Sequence, residues 1–509
     1  MKIDDYLKTL AEELRPPAVA LFNENCLLRE EVNSLRRSLF GRSSEKHIVP
    51  ELILPKDSLF NEAEVLVEPE TPAPAKEVII PEHTRKVGKR KPLPEHLARV
   101  DVRHEIPESE RICPADGTVL EAIGEEIVEK LELEPAKLFV NRHIYVKYGC
   151  PCCKTGVAQA PAQPSVLPKA LFEPGLLAYV VSQKFLYSMP LYRMEKMFEQ
   201  MGVDLPRTTI ARWVIAAGAF LTPLWELMKK EILSKNVIHC DETTIQVLKE
   251  LGKKAESKSY MWAICTSEYD FPAVCFEYFS SRAGNCAISL LQDFQGHLHV
   301  DGYAGYNAVA SKKTVVRVAC WAHVRRKFED AKVSGAKTGT TLAETFLALI
   351  QELFMHERDW KTLSAQERLD QRKEHSQPLV DKIWNLYEQN CLAVPDKSKI
   401  GRALGYLHGE WQGLLEFLSN GSVSLSNNRI ENFIRPFAVG RKNWLFADSV
   451  EGAKSSAVLY SVVVTAKENG LDVYSYLKNL FTELPKLLQA NPEADLTAFL
   501  PWNAKPIKA

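Results

Sequence analysis

Apolar and polar positions along this chain change period several times, and each change marks an element. Leu21, Leu28 and Leu35 recur every seven residues, with Val32, Leu39 and Asn25 in the alternating heptad positions. That spacing predicts a leucine-zipper-like helix within residues 1–46, where a buried Asn fixes register and two-strandedness. So short a run equally suits an amphipathic helix packed on its own domain. From Leu171 onward apolar residues again fall at helical spacing. A run at 190–201, a break at 202–206 and a second run from Arg207 predict a helix-turn-helix within residues 166–232. The period then drops to two. Extended runs at 236–247, 260–265, 273–278, 297–301 and 314–319, with a helix over 283–294, predict the first part of an α/β domain at 233–330. Residues 331–422 read as a helical insertion, 423–470 as the second part of that domain, and 471–509 as a C-terminal tail.

Between the heptads and the helices the composition shifts. Residues 47–97 carry prolines at 50, 55, 69, 72, 74, 81, 92 and 94 among many acids, the make-up of a linker that cannot bury enough apolar surface. Inside it Arg85, Lys86, Lys89, Arg90 and Lys91 form a basic patch that can lie along phosphates, or simply be a solvated stretch. Residues 98–165 bear cysteines. Cys150 and Cys153 make one half of a zinc knuckle, and Cys113 with Asp116 would make the other, Asp116 standing where a second thiolate is expected. A zinc-finger-like module and a metal-free ribbon both fit. The whole chain of 509 residues has a formal net charge of −1, so only local clusters argue for a polyanion partner. Acids at the N-terminus where a signal peptide has bases, and a longest apolar run (457–466) broken by Ser461 and Thr465, give no sign of a membrane. Eleven cysteines without a regular framework fit a reducing compartment, and the expected location is the cytoplasm.

The candidate chemistry lies in three acids. Asp241 falls within the first extended run, Asp301 closes the fourth, and Glu431 sits on a helix-like stretch at 427–435. Two carboxylates on strands and one on a later helix can hold a pair of Mg²⁺ ions for phosphoryl transfer. Neighbours on a strand face opposite ways, so only one of Asp241 and Glu242 joins such a site. Glu431 and Arg435, four apart, also suit a helical ion pair, and Glu357 in the insertion is a competing third acid. His323, Arg325 and Arg326 follow the fifth run, Arg435 lies on the Glu431 stretch, and Arg441, Lys442 and Trp444 form a second basic block; such groups bind phosphates and stack on unpaired bases, or form solvated faces. In the helix-turn-helix, Arg207, Thr208 and Arg212 would face a DNA groove while Ile210 and Trp213 pack inward. Three strands, a helix, a strand, a short helix and a strand is the ribonuclease H-like order. The expected fold is therefore multidomain α/β: a ribonuclease H-like catalytic domain with a helical insertion, preceded by a coiled-coil helix, a zinc-ribbon-like module and a helix-turn-helix region.

Eight blocks in register make the pattern specific. They begin at Leu39-Phe40-Gly41-Arg42, Leu59-Phe60-Asn61-Glu62, Pro190-Leu191-Tyr192-Arg193, Asp241-Glu242-Thr243, Asp301-Gly302-Tyr303, Cys320-Trp321-Ala322-His323, Gly440-Arg441-Lys442-Asn443-Trp444 and Leu500-Pro501-Trp502. With them the chain resembles the insertion sequence 66 family of DDE transposases along almost its whole length. The resemblance implies that Asp241, Asp301 and Glu431 are the catalytic acids, in that order, favouring Asp241 over Glu242 and Glu431 over Glu357. It implies two Mg²⁺ (or Mn²⁺) ions across them, one activating a water and later a 3′-hydroxyl, the other stabilising the leaving oxygen. His323 and Arg326 would help hold the scissile phosphate. Terminal inverted repeats and target DNA are the implied partners, with a homodimer or larger synaptic complex and small accessory proteins from the same element, in a bacterial cytoplasm. Two departures stand out: Ser426 where many members have Asp, and Asp116 in the zinc module. A nuclease of the same fold that does not rejoin DNA, and a retired transposase kept as a DNA-binding regulator, are the rival functions.

Overall fold

The computed structural model describes residues 138–144, 147–149, 157–159, 163–311, 313–332 and 341–505. The predicted zipper helix, the linker with Arg85, Lys86, Lys89, Arg90 and Lys91, and the four zinc-module positions Cys113, Asp116, Cys150 and Cys153 lie outside those residues. Contacts divide the chain into two units, 58–159 and the remainder. In the first, β1 (Lys147–Gly149) and β2 (Val157–Gln159) pair antiparallel.

The described part of the second unit begins with four helices, α1 (Pro174–Phe185), α2 (Leu191–Gln200), α3 (Arg207–Phe220) and α4 (Thr222–Leu233). The sheet follows: β3 (Val237–Lys249), β4 (Lys258–Thr266), β5 (Val274–Phe279), helix α5 (Gly284–Leu290), β6 (Gly296–His299), the short helix α6 (Asn307–Ala310) and β7 (Val315–Val318). This is the element order read from the sequence. The strands lie in the order β5-β4-β3-β6-β7, with β4 antiparallel to both neighbours and β6 and β7 parallel to β3. A short β8 (Ala447–Ser449) adds to the far end of β3. The start of β3 is buried on both faces, with Ile238, His239 and Cys240 all enclosed, as a strand flanked on both edges requires.

Beyond β7 come α7 (Trp321–Asp330), then the insertion: α8 (Leu342–Asp359), α9 (Ala365–Gln371), a π-helical turn (Arg372–Ser376), α10 (Gln377–Asn390) and α11 (Lys399–Leu415). Thr341 with Glu344 and Ser364 with Glu367 form capping boxes that start α8 and α9. The insertion has its own core, in which Trp321, Val324 and Phe328 of α7 meet Phe346, Ile350, Leu407 and Trp411. The chain then returns to the sheet with α12 (Asn428–Trp444), α13 (Val450–Glu468) and α14 (Val473–Ala490). The segment from 471 on, expected only as a tail, thus contains a long helix, and α14 packs on α1.

Helix α13 is the apolar run broken by Ser461 and Thr465, and those two residues explain its place. β5 is an edge strand whose backbone lacks a partner on one side. Phe276 N donates to Ser461 Oγ (2.8 Å), Val274 N donates to Thr465 Oγ1 (3.1 Å), and Thr465 Oγ1 donates to Val274 O (3.2 Å). A helix covers the edge and supplies its hydrogen bonds. On its other side α13 crosses α3 closely at Gly218, where a Cβ would lie 2.5 Å from Ser455 Cβ. Among the described residues no single helix is long and apolar enough to cross a membrane.

Candidate active site

Asp241 stands on the central strand, opposite Ala263 of β4. Asp301 lies two residues past the end of β6, whose His299 is in register with His239 of β3, so the two acids lie at the same level along the sheet. Its carboxylate is held in a turn by Tyr303 N (2.9 Å to Oδ1), and its carbonyl accepts from Arg317 Nη2 (2.8 Å), which also pairs with Glu410 of α11 (2.7 Å).

Glu431 reaches this level through Asn427, the residue that opens α12. Asn427 is fully buried, its Nδ2 donates to Cys240 O (3.2 Å), and its Oδ1 is 2.8 Å from His239 Nδ1. Since the amide nitrogen is spent on Cys240, the oxygen must accept, and His239 carries its proton on Nδ1. Burial lowers the pKa of His239 to about 4, so the imidazole is neutral. Asn427 N also donates to Cys320 Sγ (3.1 Å). The start of α12 is thus fastened to β3 one residue short of Asp241, and Glu431 follows one helical turn later. Upstream, Arg372 is fully buried in the π-helical turn, donates to the carbonyls of Phe417, Asn420 and Val423, and pairs bidentately with Glu357 (2.7 and 2.6 Å). Glu357, the competing third acid, is thereby occupied in shaping the loop that leads to α12.

The acids feel one another. Burial pushes the pKa of Asp241 well up, and the charges of Glu242, Asp301 and Glu431 push it further. Glu242 points elsewhere, as strand alternation requires: Arg282 pairs with it and Tyr306 donates to it (2.6 Å), although burial still raises its pKa. Glu431 does not pair with Arg435, which is exposed. Its partners are His323 and Arg326 of α7, each 3.6 Å away, and its Oε1 is buried without a hydrogen bond. Burial lowers the pKa of His323, against the pull of Glu431. Among the described residues no three His, Cys, Asp or Glu side chains close on one point as a ligand set. The donor chemistry nevertheless suits a hard divalent cation: repelling carboxylates and an orphaned carboxylate oxygen.

The other candidates divide. Arg207, Thr208 and Arg212 are exposed along α3 while Ile210 and Trp213 are buried, with Gly202 (φ 81°) making the turn after α2. Arg325 and Lys442 are also exposed. Arg441 and Trp444, expected at a DNA surface, instead turn inward. Arg441 donates to Thr243 Oγ1 and Thr244 Oγ1 (3.0 Å each) and to Thr244 O, tying α12 to β3; Trp444 packs edge-on to Phe437 with its indole N–H toward Tyr460. Beside the exposed Lys442 the apolar Leu445 and Phe446 also face outward, Leu445 at φ 66° in a tight turn closed by Phe446 N on Trp444 O (2.9 Å). The sequence reading missed Arg282, Arg317 and Tyr306 as partners of the acidic cluster, though Tyr306 lies only five residues past Asp301. It had only the signal of a carboxylate needing a countercharge.

Comparison with known proteins agrees across most of the chain. Residues 169–455 match the Transposase IS66 family, 110–154 the zinc-finger binding domain of transposase IS66, 27–102 the Transposase C of IS166 homeodomain, and 461–502 the IS66 C-terminal element. Two proteins of Sinorhizobium fredii (strain NBRC 101917 / NGR234) are similar: uncharacterized protein y4qI, 31% identical over 410 residues (77% of this chain, 74% of that one), and uncharacterized protein y4jD, 31% identical over 407 residues (78% of each). No solved structure matches. The four matched segments cover most of the sequence, and the chain belongs to the IS66 family of transposases.

Proposed function

We propose that this transposase cleaves DNA at the terminal inverted repeats of its element and joins the freed 3′ ends to target DNA, using Asp241, Asp301 and Glu431 in a ribonuclease H-like catalytic domain. The observation that carries the reading is the fastening of α12 to β3 by Asn427, which brings an acid from across the insertion to the level of two acids on the sheet. The strand order, with one antiparallel strand beside the central one, supports the fold assignment.

Asp241, Asp301 and Glu431 would hold divalent cations, Mg²⁺ or Mn²⁺. When bound, such ions supply Lewis-acid stabilisation of the phosphate and a nucleophile at neutral pH. The chain's own residues set the stage. Arg317 fixes the backbone of Asp301, while Arg282 and Tyr306 keep Glu242 out of the site. His323 and Arg326 attend Glu431 and stand ready to meet a phosphate oxygen once a cation takes the carboxylate. The exposed Arg207, Thr208 and Arg212 would read the terminal repeats, and zinc would organise the module at Cys113, Asp116, Cys150 and Cys153.

The test is a plasmid carrying the DNA that flanks the gene, incubated with Mg²⁺, the full-length chain and any accessory proteins from the same element. Wild type should cleave the ends and join them to a second plasmid. Asp241→Ala, Asp301→Ala and Glu431→Ala should each bind the ends and lose at least about a thousandfold in cleavage, the scale expected when a metal-holding acid is lost. Cleavage without joining would favour the nuclease reading. An active Glu431→Ala protein would remove that residue from the assignment.

A further inference from the structure

Helix α11 brings the insertion against the acid cluster along one face. Tyr406 and Glu410 are one turn apart on it. Glu410 holds Arg317, which donates to the Asp301 carbonyl. Tyr406 lies directly on Gly302, the residue after Asp301: a Cβ there would be 2.8 Å from Tyr406 Cε2 and 2.9 Å from its hydroxyl oxygen. Only a glycine permits that approach. Lys327 of α7, on the helix that carries His323 and Arg326, sits 5.5 Å from the centre of the Tyr406 ring. Burial first, then the charges of Glu410, Cys320 and Asp301, raise the pKa of the phenol, so it stays protonated. Tyr406 is half-buried, and among the described residues its hydroxyl makes no hydrogen bond.

We propose that Tyr406 is a further catalytic residue, contributed by the insertion, whose hydroxyl donates a hydrogen bond to a non-bridging oxygen of the DNA phosphate under attack. The three features needed are a neutral donor, a position beside Asp301, and no protein acceptor already using the proton. A phosphate held by the acids' cations and by the α7 bases supplies the acceptor. The insertion is then part of the active site, and its Glu410–Arg317 contact sets where Tyr406 stands.

The proposal rests on the phosphoryl-transfer reading of Asp301, and one experiment separates the two. Tyr406→Phe keeps the ring on Gly302 and beside Lys327 and removes only the hydroxyl. With end DNA saturating, the full-length variant should cleave about a hundredfold more slowly than wild type, the usual cost of one donor to a developing oxyanion. Its Kd for a labelled end duplex and its Tm should stay at wild-type values. A role in packing alone would leave cleavage by Tyr406→Phe unchanged and appear only in Tyr406→Ala. Wild-type cleavage by Tyr406→Phe alongside an inactive Asp301→Ala protein overturns the role of Tyr406 and leaves the acid assignment standing. Cleavage by Asp301→Ala overturns both.

Discussion

Asp241 sits in an environment that works against its own charge. Burial, then Glu242, Asp301 and Glu431, raise its pKa in the folded chain above that of an unfolded aspartate. The folded state therefore binds more protons than the unfolded one, so stability is greatest below the unfolded pKa, falls as pH rises toward the folded pKa, and stays low above it. Without metal, Asp241→Asn should then raise Tm at pH 7 while abolishing cleavage, and the gain should vanish at pH 4. Melting curves at the two pH values check this; a lower Tm at pH 7 would mean that Asp241 is stabilised by a partner. That Glu242 turns away from Asp241 was legible because strand alternation is a local rule. That Glu357 is already paired was not, since it depends on Arg372 in a turn fifteen residues away. Arg441 and Trp444 misled for the same reason: a base and an aromatic look alike in sequence whether they face DNA or a neighbouring strand.

At the scale of elements, the order of strands and helices could be read from changes of period, and the boundaries of β3 and α2 fell close to expectation. The role of α13 could not. Its Ser461 and Thr465 read as breaks in an apolar run, yet they are what an edge strand needs from the helix that covers it. Thr465→Val preserves shape and removes the hydroxyl, leaving Val274 N–H and C=O without that partner. The expected loss is about 1–3 kcal/mol, seen as a lower denaturant midpoint at unchanged slope. No change in midpoint would mean that water reaches the edge of β5. The close crossing at Gly218 explains why α3 has a glycine in its interior despite the conformational cost.

Across the whole molecule, sequence distance and spatial distance part company. α1 packs on α14 and α3 on α13, so the helix that carries Arg207, Thr208 and Arg212 shares a core with residues more than two hundred positions later. A chain ending at Ser449 would retain all three acids and every exposed base of α3, and should still fail to fold; cooperative melting and specific end binding by that fragment would show otherwise. The placement of α13 also has a consequence for the life of the element. The last-made part of the chain completes the core around α1 and α3, so a nascent chain or a copy cut short by a premature stop lacks the packing that positions Arg207, Thr208 and Arg212. On the role proposed for those residues, decayed copies of such an element would be silent bystanders rather than competitors for its ends. A repressor evolving from this protein would have to keep its C-terminal helices and lose only its acids.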